Sequence, residues 1–177
     1  MEPKYYRGWH LAQTPFEYQV TAFEWSLVRA QEAFARFVTG LGAVTISGDL
    51  KYAEYMILNI IRMQERAKTG QMIARLANRD DVQNVQYSLR KLEGMALVRK
   101  TRDGAGNQAS YEITDQGRAM LDDYRDVRAD LLIGALGQVQ GLGDQLEAAT
   151  RLMTLLTGVY EEAARQTATI TPTAEGD

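Results

Sequence analysis

Between residues 80 and 114 the hydrophobic period of the chain changes. "DDVQNVQYSLRKL" sets Val82, Val85, Leu89 and Leu92 at spacings of three, four and three, one face of an α-helix. Beyond it, "ALVRKT" and "SYEIT" read as two short strands. The segment "RDGAGNQA" joins them, and its two glycines and asparagine mark a hairpin connection longer than a two-residue turn. Asp80 or Asp81 caps the helix, where a carboxylate also suits the helix dipole. Just upstream, "TGQMIARLA" predicts a short helix over about 69–77, with Thr69 as cap and Met72, Ile73 and Leu76 as its buried side. Thr114 caps a further helix expected over about 115–140. The fold class is mainly α with a small β-wing.

The flanks are helical. Phe16, Val20, Phe23, Leu27, Ala30, Phe34, Phe37 and Leu41 alternate at spacings of four and three. Leu142, Leu146, Ala149, Met153, Leu156, Tyr160 and Ala163 do the same. A sustained period of 3.5 is the seam of a coiled-coil-like contact. Intramolecular packing and a dimer interface both fit, and the dimer is favoured because two-fold oligomers are the commonest. Gly40 and Gly42 are expected to stop the first of these helices. Residues 50–64, apolar on more than one side, predict a central buried helix. The expected organisation is an irregular arm (1–15), a dimerisation helix and connection (16–49), a winged helix-turn-helix (50–118), C-terminal dimerisation helices (119–166) and a polar, disordered tail (167–177).

Composition removes several function classes. There is no cysteine, which excludes disulfides, thiolate metal sites and thiol redox chemistry. The single histidine, His10, is expected to be an exposed terminal residue, so a metal site or Ser–His triad is not indicated. No nucleophile–base pair or phosphate loop is present; "DGAGNQ" lies between strands rather than between a strand and a helix. The acidic residues Asp115, Asp122, Asp123, Asp126 and Asp130 lack a calcium-loop pattern and read as a solvated face. The expectation is a non-enzymatic protein with no cofactor. No apolar run approaches the ~20 residues of a membrane span, and the first ten residues lack an apolar signal core, so a cytoplasmic location is expected.

Charge is unevenly spread. The net charge is −3, yet residues 66–111 hold nine Lys/Arg against four acids. A basic middle in an acidic chain focuses attraction for phosphate on one region.

The segment Thr69–Thr114 has the layout of a winged helix-turn-helix, and three stretches resemble the MarR-type transcriptional regulators: "TGQMIARLA", "VQNVQYSLRKLEGMALVRKT" and "YEITDQGRAML". The last carries the most specific match, Ile113, Thr114, Asp115, Gln116, Gly117 and Arg118. The resemblance covers about residues 50–125 by motif. Three departures stand out. The turn "ANRDDV" is one residue longer than the usual pattern, Ala96 stands where glycine is usual, and the wing lacks a second arginine after Arg102 and Asp103. The resemblance implies a homodimer that binds double-stranded DNA at a pseudo-palindromic operator, and a small, often aromatic, effector.

In that light the amide-rich face of the 82–94 helix gains an object. Gln83, Asn84, Gln86, Tyr87 and Arg90 are chemically apt for base edges, since Gln or Asn can pair with adenine and Arg with guanine. Arg75, Arg79, Lys100 and Arg102 suit phosphate contacts, which position without specifying sequence, with Arg99 beside them on the wing. Asn107, at the loop tip with Gln108, is a groove contact or simply turn chemistry. The expected dimer interface comprises Phe16, Val20, Phe23, Leu27, Leu146, Met153, Leu156 and Tyr160. Phe23, Trp25, Phe34, Tyr52 and Tyr55 either line an effector pocket or pack core and interface, and packing is the expectation. Two rival readings stay open: a winged helix used for protein interaction, and a ligand sensor that does not bind DNA.

Overall fold

The structure, a computed structural model, describes residues 9–45, 50–102 and 109–170. It divides into two compact units, residues 1–128 and 129–177. The first begins with α1 (Pro15–Thr45) and α2 (Tyr52–Arg62), followed by a 3₁₀ turn (Met63–Glu65). Then come β1 (Lys68–Thr69), α3 (Gly70–Leu76), α4 (Val82–Gly94), β2 (Val98–Arg102), β3 (Ala109–Ile113) and α5 (Asp115–Arg128).

α1 starts on a capping box. Thr14 Oγ1 accepts from the Glu17 N–H at 3.3 Å, and Glu17 reaches back to the Thr14 N–H at 3.3 Å. Pro15 occupies the first helical position, where its missing N–H costs nothing. The helix does not stop at Gly40 or Gly42 but continues to Thr45. Gly42 serves packing rather than termination: a Cβ there would fall 1.9 Å from Tyr55 Cζ, so only glycine lets the Tyr55 ring of α2 close on this helix.

α2 is the centre of the first unit, as its all-round apolarity predicts. Ile57, Leu58 and Ile61 are buried, and Tyr55 stacks on Tyr124 of α5 at 6.5 Å between centroids. Val85, Leu89 and Leu92 of α4 complete this core with Ile73, Leu97, Val98 and Tyr111. The sheet is antiparallel, ordered β1-β3-β2, with Val98 opposite Ile113 and Lys68 opposite Tyr111. β1 is a third strand that the sequence pattern did not announce, being two residues long. It brings Lys68 under the end of α2, where its buried ammonium donates to the carbonyls of Ile61 (3.1 Å), Met63 and Arg66 (3.1 Å). A buried cation persists there because these helix-end carbonyls satisfy it. Burial lowers the Lys68 pKa.

Three expected core positions are corrected. Met72, Leu76 and Val82 are exposed. The buried side of α3 is instead Gly70, Ile73 and Ala74, because the helix is only seven residues long and turns that face to α4. Val82 lies one turn ahead of the first fully buried position, Val85, at the very start of α4.

The second unit comprises a π-helical turn (Ala129–Ile133), α6 (Gly134–Gly137) and α7 (Leu142–Thr167). The regular helix expected over 115–140 is therefore interrupted. None of residues 129–133 is buried, so no packing holds the hydrogen-bond ladder in α register, and Gly134 and Gly137 weaken the next turn. Gly141, at φ 70°, makes the left-handed step into α7. The expected tail begins with α7's last residue, Thr167, and turns at 168–169; residues 171–177, like 1–8, lie outside the described residues. Among the described residues no helix is long and apolar enough to cross a membrane.

Candidate nucleic-acid interface

α3, its turn and α4 form the helix-turn-helix, and local hydrogen bonds fix each boundary. Thr69 accepts from the Met72 N–H at 3.2 Å and starts α3. The helix ends with Asn78 at φ 52°, the Arg79 N–H returning to Ala74 O at 2.9 Å and the Asn78 N–H to Arg75 O at 3.1 Å. These are the paired bonds of a Schellman motif, with Asn in the left-handed position that usually takes glycine. The motif occupies the residues that make the turn "ANRDDV" long. Of the two candidate caps, Asp81 is the one used: its carboxylate accepts from the Asn84 N–H at 3.0 Å.

α4 closes in the same way. The Ala96 N–H bonds Glu93 O at 2.9 Å and the Leu97 N–H bonds Leu92 O at 3.0 Å, with Ala96 at φ 57°. Ala96 thus fills the left-handed position of a second Schellman motif, which explains why glycine is the usual residue there. The Thr-Asp-x-Gly-Arg signature locks onto this turn. Thr114 Oγ1 donates to Ala96 O at 2.7 Å, with Leu97 O at 3.1 Å, and accepts from the Gly117 N–H at 3.0 Å. A Cβ on Gly117 would lie 2.3 Å from Leu97 O, so α5 can approach the turn only with glycine there. Arg118 pairs with Glu65, and this hydrogen bond holds the Glu65 carboxyl below its ordinary pKa.

The amide-rich face of α4 divides once side chains are followed. Asn84 donates its side-chain amide back to Asp81. Gln86 is half-buried: Tyr111 Oη donates to its Oε1 at 3.3 Å, and its amide nitrogen fills the space that a Cβ on Gly70 would need. Lys91 pairs with buried Glu54 of α2 at 2.9 Å, and Glu54 also accepts from the Lys51 N–H at 2.7 Å. These three side chains anchor the helix. Gln83, Tyr87 and Arg90 face outward, and Tyr87 is 62% exposed.

The cations divide too. Arg99 pairs with Glu112, directly across the sheet, at 2.9 Å. Arg75, Arg79, Arg90, Lys100 and Arg102 are exposed, and among the described residues none has a carboxylate within 4.0 Å. Asn107 and Gln108 lie outside the described residues. The acidic face of α5 is partly engaged, Asp122 accepting from Arg62 at 2.9 Å and Arg125 at 3.2 Å. Among the described residues no group of three or more His, Asp or Glu is placed to hold a metal ion.

Of the aromatics expected to pack rather than line a pocket, Tyr55 is buried in the core and Phe34 meets Tyr52 edge-on at 6.2 Å. Trp25 belongs elsewhere: it lines an open cleft of about 570 Å³ with Trp9, His10, Leu11, Thr21, Glu24 and Val28. His10 is exposed, as expected.

Residues 50–117 match a family model described as a winged-helix DNA-binding domain. No curated protein matches the sequence. Solved structures do match. The transcriptional repressor CouR bound to a 23-mer DNA duplex is 20% identical, with a TM-score of 0.64 over 82% of this chain and 99% of that one. A MarR-family transcriptional regulator from Rhodococcus sp. RHA1 is 19% identical, with a TM-score of 0.63 over 80% and 96%. The PcaV transcriptional regulator from Streptomyces coelicolor, in complex with its natural ligand, is 17% identical, with a TM-score of 0.59 over 85% and 96%.

Proposed function

We propose that this chain, whose residues 50–117 are a winged-helix DNA-binding domain within the fold of MarR-type transcriptional regulators, is a sequence-specific regulator that binds a pseudo-palindromic operator as a homodimer. The observation that carries the reading is the sorting of side chains around α4. Asn84, Gln86 and Lys91 are engaged within the domain, while Gln83, Tyr87, Arg90 and the unpaired Arg75, Arg79, Lys100 and Arg102 are exposed. α4 enters the major groove, α3 and the wing contact phosphate, and residues 16–49 and 119–166 supply dimerisation. Asn84 and Gln86 act by holding α4 in place.

Homodimerisation is supported by what a single chain leaves uncovered. Phe16 is 72% exposed, and Val20, Leu146, Met153 and Tyr160 are exposed while Phe23, Leu27 and Leu156 are half-buried. α7 buries no residue at all. Apolar surface on this scale marks an interaction site. A small aromatic effector is supported by the cleft between Trp9 and Trp25, whose volume of about 570 Å³ is within the range of small-molecule sites.

The test is selection of genomic fragments with the purified protein, then footprinting of the enriched duplex. A protected palindrome whose affinity falls steeply with salt is expected, because phosphate neutralisation releases counterions. Gln83→Glu or Arg90→Glu should abolish protection. Flat affinity for every duplex across salt, with both variants indistinguishable from wild type, would leave the protein-interaction reading standing instead.

A further inference from the structure

We infer that Val82 is a specificity-determining residue that reads the 5-methyl group of a thymine in each half-site; this rests on the DNA-binding reading above. The first turn of α4 is the part of a recognition helix that reaches base edges. Its apolar residue was expected in the core and is instead 37% exposed, one turn before Val85, which is fully buried.

The polar neighbours of Val82 are largely committed. Asn84 is tied to Asp81, and Gln86 to Tyr111, its amide nitrogen filling the space beside Gly70. Asn84 is exposed too but already donates to Asp81, which leaves Gln83, among the described residues, as the uncommitted amide of that turn. The same end of the helix carries the carboxylates of Asp80 and Asp81, which disfavour a phosphate there. A site that repels phosphate, has one uncommitted amide and presents two rigid methyl groups suits a base edge with an apolar feature. In the major groove the only such feature is the thymine methyl. Val82 is β-branched and holds essentially one rotamer in a helix, so its methyl groups are presented without ordering cost.

The experiment replaces each operator thymine in turn by uracil, which removes only the methyl group, and measures affinity for wild type, Val82→Ala and Val82→Ile. In wild type, one thymine per half-site should cost about fourfold in affinity when demethylated, the worth of one buried methyl. Val82→Ala should bind the intact operator about fourfold more weakly and lose its sensitivity to uracil at that position alone. Val82→Ile should keep the sensitivity. If Val82→Ala retains every uracil penalty of wild type, the inference is overturned while the DNA-binding reading stands. If wild type selects no duplex at all, both fall.

Discussion

Single residues show best how this domain is closed. Ala96 holds a left-handed backbone that costs an L-residue roughly 1 kcal/mol, while Gly117 stands where a Cβ would strike Leu97 O at 2.3 Å. The two therefore respond oppositely to a single methyl group. Ala96→Gly should raise unfolding stability by about 0.5–1 kcal/mol, the relief of φ strain outweighing the added freedom of the unfolded chain. Gly117→Ala should lower it by about 1–3 kcal/mol, since the obstacle is backbone and cannot rotate away. Urea midpoints at constant m report both, and a destabilised Ala96→Gly would refute the strain argument. The Thr114–Arg118 motif was legible in the sequence because its residues are adjacent. Its physical content was not, because Thr114 and Gly117 act on a turn about twenty residues earlier. The intramolecular partners of Asn84 and Gln86, Asp81 and Tyr111, were illegible for the same reason: an amide in a sequence does not name the group it bonds.

At the scale of elements, one ion pair reinforces the apolar packing of α4 against α2. Glu54 has 4% of its side chain exposed and Lys91 29%, at 2.9 Å. Removing Lys91 leaves a buried carboxylate with only the Lys51 N–H, so Lys91→Ala should destabilise by about 2 kcal/mol. Glu54→Gln combined with Lys91→Ala should recover part of that loss, and a double-mutant cycle in chemical denaturation measures the coupling; strict additivity would deny the pair any role. The Glu65–Arg118 pair joins the turn after α2 to α5 and gives a pH signature. Its carboxyl is held below the ordinary value, so its contribution is complete above the usual carboxylate range and disappears as pH falls through the lowered pKa. Both groups are largely exposed, so the effect is small. Glu65→Gln should lie below wild type in thermal stability near neutrality and converge with it in acid; a constant gap across pH would contradict the linkage. Element types and caps were readable because caps and periodicity are local. The ends of α1 and α5 were not: Gly42 answers to Tyr55 across the core, and the π turn at 129–133 follows from a lack of packing that no local pattern records.

For the whole molecule, the seams and the cations make one argument. The α1 seam is split: its end, at Phe37 and Leu41, packs on the first unit's core, while Phe16 and Val20 stay exposed, and no residue of the α7 seam is fully buried. The proposed two-fold partner would cover those exposed rows and double the basic surface offered to DNA. With Arg75, Arg79, Lys100 and Arg102 each meeting one phosphate, a dimer neutralises about eight and should show a slope of log affinity against log salt near −7. A monomer should show about half that slope. Met153→Glu with Leu156→Glu places two carboxylates in the α7 seam, far in sequence from the reading residues, and α7 buries nothing that the change would unpack. Sedimentation should show wild type at twice the chain mass and the variant at one. The variant's operator affinity should fall by at least a hundredfold, roughly the avidity a second linked site supplies, and its salt slope should be halved. A variant that sediments as a monomer yet keeps the full slope would show that one chain carries all the phosphate contacts. In that case the exposed seam would serve something other than DNA recognition.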